Sequence, residues 1–355
     1  MKKKIFQALQ YIIFLGLGIF LTWWQLGKMS PEQELLFKES LRNAHYIYLI
    51  PIIIITLLSH VSRAMRWKIL IEPLGHHPST ANTFYATMCG YLANTFLPRA
   101  GEILRCTLLS RYEKIPATKL FGTILLERIF DLFCYFLLIV FTILIQLETV
   151  SDFVKTRINQ ITRFANGVSV WLIMSVILLF AGLCFVIIKW VFKKHHNHKL
   201  VIKIKGLHLG LKEGFLTVIH LKKRKQFIAH TVFIWAAYTL EIYIGFSALP
   251  ATSSLGVGAA LSVLSLATLA MIVSPGGLGA FPVAVQQVLL VYNVDNISFG
   301  WLMWGATTAI IIVAGIICFG LLIYQNRNRN EKKRYVTDED FEPGGIGRSG
   351  HQMEA

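Results

Sequence analysis

Charge is what this chain has least of. Only 15% of its 355 residues are Asp, Glu, Lys or Arg, against about a quarter in soluble domains, and the mean hydropathy is +0.57. That shortage excludes a soluble enzyme and a disordered tail protein. Cysteine is scarce too. Cys89, Cys106, Cys134, Cys184 and Cys318 lie in or beside apolar blocks, and none forms a CxxC pair or a Cys/His ligand set. A disulfide-stapled secreted domain is thereby excluded, and the five read as small apolar packing residues. Nucleotide and catalytic signatures are missing as well: there is no Walker A, HExxH or GxSxG. Gly256-Val257-Gly258 lacks the third glycine and the preceding strand of a dinucleotide loop. Neither metal nor cofactor is expected, and energy coupling by nucleotide hydrolysis has no support. Asn296-Ile297-Ser298 fits a glycosylation sequon that carries no information here.

Acids are the scarcer sign, 19 against 35 Lys and Arg, for a formal charge of +16. Such an excess invites a nucleic-acid reading, but no nucleic-acid motif accompanies it and its placement argues otherwise. Residues 189–225 hold eleven Lys/Arg and one acid, Glu213. Lys2, Lys3 and Lys4 open the chain, and Arg327, Arg329, Lys332, Lys333 and Arg334 follow the last apolar block. Basic clusters flanking apolar spans mark the cytoplasmic side, and they also attract anionic headgroups. His195, His196 and His198 fall in the basic loop and read as solvated.

What is present is apolar length. Blocks at 5–26, 46–62, 80–97, 120–147, 168–191, 227–248, 257–274, 278–292 and 299–324 approach the roughly 20 residues a helix needs to cross a bilayer. The expected class is an all-α, polytopic membrane protein. The first block is too long for a signal peptide and no small-x-small cleavage site follows it, so it reads as a retained span. Ser30-Pro31-Glu32-Gln33 has the pattern of a helix start, cap serine and all, and predicts an interfacial helix to about Asn43. Leu207, Leu211, Phe215 and Ile219 predict a second in-plane helix. From Asn326 the chain turns polar and is expected to be a disordered cytoplasmic tail over 325–355.

Charge and crossing number conflict if every block spans fully. With the N-terminus inside, a complete crossing by 80–97 would put residues 98–119, net +3, and the basic loop outside. The conflict disappears if 80–97 turns back at Pro98 and returns through about 112. The block 257–292, broken at Ser274-Pro275-Gly276-Gly277, needs the same treatment from the opposite face. Six full spans and two re-entrant hairpins result. A shift of 177 residues lays Leu92-Ala93…Pro98 on Leu269-Ala270…Pro275, span 46–62 on 223–239 and span 120–147 on 297–324. The domain 1–324 then contains two repeats, about 1–147 and 168–324, each with three spans and one hairpin, and the odd number inverts the second. Inverted repeats with broken helices are a transporter architecture.

The breaks carry the polar chemistry. Pro98 ends the first half-helix and another starts near Arg99, leaving free N–H groups at the turn. Two readings stand for Asn94…Pro98-Arg99-Ala100-Gly101-Glu102…Arg105: a local Arg–Glu pair at the interface, or an anion site in which Arg99 or Arg105 adds bidentate contacts to a phosphate. In the next span, Glu127 and Asp131 share a face at i,i+4 while Arg128 reaches Asp131 at i,i+3. Arg99, Glu102, Arg105, Glu127, Arg128 and Asp131 sum to zero charge, so they read either as a self-neutralising network or as a polar path for a lipid headgroup. Glu241, deep in 227–248, has no basic neighbour on its own helix; it should face a partner or a cavity, or be protonated. Snorkelling side chains with an interfacial Trp suffice for Arg63, Arg66, Trp67 and Lys68. At the second break Gly276, Gly277 and Gly279 permit close approach of backbone to backbone or ligand.

Arg63-Ala64-Met65-Arg66-Trp67, Asn94…Leu97-Pro98-Arg99-Ala100-Gly101-Glu102…Arg105, Glu127-Arg128…Asp131 and Pro275-Gly276-Gly277-Leu278-Gly279 together resemble the lysylphosphatidylglycerol synthase/flippase-type integral membrane family, over about residues 5–324. The resemblance implies a flippase-like fold that moves a lipid headgroup between leaflets. In that family a soluble aminoacyl-transferase domain can follow the membrane part. Only a short tail follows residue 324, so lipid aminoacylation is not expected. Phe281-Pro282 stand where an acidic residue is often found after the glycine motif.

The reading that follows is a non-enzymatic lipid translocase of a bacterial inner membrane, both termini cytoplasmic, with an anionic or aminoacylated phospholipid as its partner and no nucleic acid. Its headgroup site would draw on Asn94, Arg99, Glu102, Arg105, Glu127, Arg128, Asp131, Glu241, Gly276 and Gly277. A rival reading is a non-transporting accessory protein that docks an envelope-lipid enzyme through the basic 189–225 loop. A third is a membrane-embedded transferase using Glu127 and Asp131 as an acid/base pair.

Overall fold

The computed structural model describes residue 16 and residues 18–97, 100–147 and 221–339. This part is helical, and no β-strand occurs among the described residues. In order the helices are α1 (18–27), α2 (Pro31–Arg42), α3 (Leu49–Ile71), α4 (Thr80–Phe96), α5 (Ala100–Glu113), α6 (Ala117–Ile145), α7 (Arg224–Phe246), α8 (Val257–Val273), α9 (Ala280–Val291) and α10 (Ser298–Glu339). The stretches Tyr46–Leu74, Ala117–Ile145, Arg224–Phe246 and Ser298–Arg327 are long and apolar enough to cross a membrane; they correspond to the expected spans 46–62, 120–147, 227–248 and 299–324. The expected spans 5–26 and 168–191 lie largely or wholly outside the described residues. So do the 207–220 segment, most of the basic loop, Pro98 and Arg99.

Two spans outrun their apolar blocks. α3 continues to Ile71, and α10 to Glu339, past the point where a polar tail was expected; residues 340–355 lie outside the described part. Outward-facing side chains are those a hydrocarbon environment favours. On α6 these are Leu125, Leu132, Phe136, Phe141 and Leu144, all exposed. The helix expected after Ser30 is α2, where Ser30 and Gln33 form a reciprocal capping box.

α4, α5, α8 and α9 have 17, 14, 17 and 12 residues. At about 1.5 Å per residue each is shorter than the roughly 30 Å of a hydrocarbon core. They pair as two hairpins. In the first, α4 and α5 pack so closely that a methyl group on Gly90 would lie 2.9 Å from the Gly101 carbonyl oxygen. Across its feet the Asn82 Nδ2 donates to Glu113 Oε1 at 2.5 Å. In the second, the Ser262 and Tyr292 hydroxyls meet at 2.9 Å across α8 and the end of α9.

α3 and α7 pack antiparallel: Ile52 shares a core with Phe246, while fourteen residues further along α3 the Arg66 Nη1 donates to Thr231 near the start of α7. This pair defines two ends of the molecule. The first hairpin rises from the end where α3 finishes, since Lys68 Nζ donates to Thr80 Oγ1 at 3.0 Å. The Asn82 and Asn326 side-chain amides bond each other there, at 3.0 and 3.3 Å, binding α4 to α10. The second hairpin rises from the opposite end, where α7 finishes and His45 N donates to the Ala248 carbonyl at 2.8 Å.

The tips meet. A methyl group on Gly276 would sit 3.3 Å from both the Cα and the carbonyl oxygen of Thr95. Gly276, Gly277 and Gly279 have φ of +56°, +76° and +68°, a region that side chains with a Cβ rarely occupy, and Trp304 Nε1 holds the Gly276 carbonyl at 2.8 Å. α1 closes over this tip, its Gly18 against the Leu278 carbonyl and its Gln25 bonded to Gln286 at 2.9 Å.

Candidate functional site

Beside the first tip the charged residues of three helices converge, joined by two hydroxyls of a fourth. Glu127, wholly buried, stands ten residues into α6, about 15 Å from its start. Its Oε1 accepts from Arg63 Nη1 at 3.2 Å and Arg66 Nη2 at 3.1 Å, and its Oε2 from Arg105 Nη2 at 2.6 Å. One turn on, Asp131 pairs with Arg63 at 2.9 Å and Arg66 at 2.7 Å. Arg128 pairs with Glu102 at 3.3 Å and approaches Asp131 at 4.0 Å. From α7, the Tyr238 hydroxyl accepts from Arg63 Nη2 at 3.1 Å and the Thr231 hydroxyl from Arg66 Nη1 at 3.2 Å.

Sequence reasoning therefore missed two members. Arg63 and Arg66 do not snorkel to the surface. They are 6% and 0% exposed because α3 runs on for two turns beyond its apolar block and carries them inside. Trp67 is not interfacial either: it is wholly buried, donates to Thr123 at 2.9 Å and lies under the Arg105 guanidinium at 4.5 Å. Arg66 stacks likewise on Phe227 at 5.6 Å. The available signal was the i,i+3 spacing of the two arginines, which puts both on one face.

With them the balance changes. Among the described residues four arginines face Glu102, Glu127 and Asp131, leaving one net positive charge rather than the zero of the expected six. Burying ions is costly unless each is paired and its remaining donors satisfied. Here the pairing is good but incomplete: Glu102 Oε2, the Nε atoms of Arg63, Arg66, Arg105 and Arg128, and the Tyr91 hydroxyl are buried without a hydrogen-bond partner. Exposure is graded across the cluster. The Arg105 side chain is 4% exposed, whereas those of Arg128 and Glu102 are 39% and 20% exposed, so these two form its open edge.

The other expected site residues take different places. Asn94 secures the first hairpin, its Oδ1 accepting from Gly101 N–H at 2.8 Å. Gly101 packs against Gly90 and Asn94, leaving no room for a Cβ. Gly276 and Gly277 form the second tip, and Gly279 lies against Gly18 and Thr22 of α1. Pro275 stands in the short 3-10 turn Pro275–Gly277. Glu241 is 7% exposed and separate from the cluster, on the α7 face toward Thr56. No group of three or more His, Cys, Asp and Glu suited to a metal occurs among the described residues. Chemically the assembly offers a desolvated, slightly cationic polar surface between two half-length hairpins, inside an apolar body.

These features define a polytopic helical membrane protein with a charged interior. The chain matches the family model described as the lysylphosphatidylglycerol synthase TM region over residues 8–315, and it belongs to that family. It is 20% identical over 299 residues to a UPF0104 membrane protein of Methanothermobacter thermautotrophicus, covering 80% of this chain and 85% of that one. It is 33% identical over 103 residues to a UPF0104 membrane protein of Methanocaldococcus jannaschii, a match that spans 28% of this chain and only 31% of the relative's length. No solved structure matches the chain.

Proposed function

We propose that this protein is a lipid translocase of the cell membrane, which passes the polar headgroup of a phospholipid between leaflets while the tails stay in the bilayer. The observation that carries this reading is the meeting of two hairpins from opposite ends, Thr95 against Gly276, beside a buried cluster whose described residues carry one net positive charge. A polar surface reached from either end through half-length helices serves alternating access better than a plain bundle does. The packing is also paired as an inverted repeat would require. α4 of the first half lies on α10 of the second, and α8 of the second lies on α6 of the first, while α3 and α7 face each other.

Within the site, Arg128 and Glu102 are the contact pair. Arg128 takes the phosphate as a planar donor, and Glu102, with one oxygen unpartnered, takes a cationic group where the headgroup has one. Arg63, Arg66, Arg105, Glu127 and Asp131 hold the pair in place and set its field. We assign the end where α3 finishes to the cytoplasm. Lys68, Arg111, Lys114, Lys119 and residues 222–225 gather there, whereas the turns 43–48, 247–256 and 292–297 at the other end contain Asp295 and no Lys or Arg. The chain itself acts as carrier, not as enzyme.

The test is reconstitution of the full chain into vesicles containing headgroup-labelled phosphatidylglycerol or its lysyl ester, with leaflet exposure read by a membrane-impermeant quencher. Faster exchange of either lipid than in protein-free vesicles, lost in Arg128→Ala, is the expected result. Exchange unchanged in Arg128→Ala and Glu102→Ala together would refute the assignment.

A further inference from the structure

Among the described residues one carboxyl group outside the charge cluster is buried, and its surroundings differ. Glu241 is 7% exposed and one of its oxygens, Oε1, is buried without a hydrogen-bond partner. Among the described residues no ion pair reaches it, although every acid of the cluster has at least one arginine. Its neighbour across the α3–α7 interface is the Thr56 hydroxyl, whose hydrogen is committed to the Ile52 carbonyl at 2.8 Å. A hydroxyl carries no charge that would neutralise a carboxylate. The nearby packing of Ile52, Ile242, Phe246 and Phe299 is apolar and offers no compensating charge, and unpaired intramembrane acids occur where protons are bound or relayed.

A way out for that proton is built into the same helix face. His60 follows Thr56 by one turn on α3, is 4% exposed, and has both ring nitrogens unpartnered. Its ring packs at a tilt against Tyr91 of α4, centroids 4.6 Å apart, and the Tyr91 hydroxyl is also unpartnered. The next turn of α3 brings Arg63, which Tyr238 of α7, three residues before Glu241, meets at 3.1 Å. The titratable and charged groups on the turns of α3 and α7 that flank Thr56 and Glu241, and on α4 against them, are thus His60 and Arg63, Tyr238, and Tyr91. The spacing 56, 60, 63 is that of one helix face. Imidazole can take a proton on one nitrogen and release one from the other, and His60 lies between Thr56 and Arg63 on that face of α3.

We propose that Glu241 is a proton-binding site beside Thr56, and that His60 and Tyr91 exchange its proton with the interior of the charge cluster. The ligand is a proton rather than a metal cation, because the acceptors here are one carboxyl and one hydroxyl, far short of the six or more oxygens a hard cation takes. The site stands whether or not the lipid-transport reading does.

Infrared difference spectroscopy of the purified full chain in lipid nanodiscs tests it. Near neutral pH the wild type should show the carbonyl stretch of a protonated carboxylic acid, absent from Glu241→Gln and retained in Glu102→Gln and Asp131→Asn. The band should shift when water is exchanged for D2O, and His60→Phe, which keeps a packed ring but removes both nitrogens, should keep the band and slow the shift. If Glu241→Gln does not fold, Glu241→Asp should move the band to a different frequency while Glu102→Gln, Glu127→Gln and Asp131→Asn leave it in place. A wild type without the band, a band that survives Glu241→Gln, or a His60→Phe protein exchanging at the wild-type rate would overturn the proposal.

Discussion

Replacing Glu127 by alanine removes the carboxylate that three arginines share, at 3.2, 3.1 and 2.6 Å. Arg63 and Arg66 retain Asp131, but Arg105 keeps only the face of Trp67, and the net charge of the described cluster rises from one to two. Stranding a buried ion costs about 3–5 kcal/mol, two to four powers of ten in the folded ratio at roughly 1.36 kcal/mol per tenfold. The measurement is thermal loss of monodisperse protein in detergent, followed by size-exclusion chromatography. Glu127→Ala should melt far below the wild type. Glu127→Gln keeps an acceptor and should lose less. Glu127→Ala/Arg105→Ala removes the stranded charge as well, so its loss should fall short of the sum of the single losses by about 0.5–3 kcal/mol. A Glu127→Ala protein within about 0.5 kcal/mol of wild type, or strict additivity in the double variant, would refute the view of this cluster as a mutually dependent network.

Other outcomes follow from the same geometry. Gly101→Ala places a methyl group into the Gly90 carbonyl and Asn94 and should destabilise by about 1–3 kcal/mol, read as a lower melting temperature. Gly276→Ala adds a Cβ at φ +56°, 3.3 Å from Thr95, and should slow lipid exchange by separating the tips; exchange at the wild-type rate would argue against their contact. Asn82→Ala and Asn326→Ala each break the paired amides at the foot of the first hairpin. Each should cost about 1–3 kcal/mol for the partner left unsatisfied, and the double variant should be little worse than either single.

Much of the fold was legible because membrane helices announce themselves by length. The turn at 97–100 followed from Pro98 and from the need to keep residues 98–119 with the other basic segments, and α4 and α5 end and begin there. The second hairpin was legible in Ser274-Pro275-Gly276-Gly277-Leu278-Gly279, since three glycines in an apolar run point to backbone geometry rather than to hydrophobicity. The α6 triad Glu127, Arg128 and Asp131 was legible as a group that must find partners. The identity of those partners was not. Arg63 and Arg66 lie just past the last apolar residue of their block, and hydropathy alone places such arginines at the surface. Their burial depends on α3 continuing to Ile71 and on α5, α6 and α7 closing around it, which only long-range packing decides. Asn296 is a smaller case: a sequon in the sequence, it serves as a cap, its Oδ1 accepting from Phe299 N–H at 2.9 Å.

Opposed hairpins are the premise of the whole account, and accessibility of single thiols in a cysteine-free background probes them most directly. In sealed vesicles of known orientation, His77→Cys and Arg111→Cys, at the two feet of the first hairpin, should both react with an impermeant reagent from the cytoplasmic face. Ser254→Cys and Asp295→Cys, at the feet of the second, should both react from the opposite face alone. Labelling of His77→Cys and Arg111→Cys from different faces would mean that the first hairpin crosses the membrane, which contradicts the account.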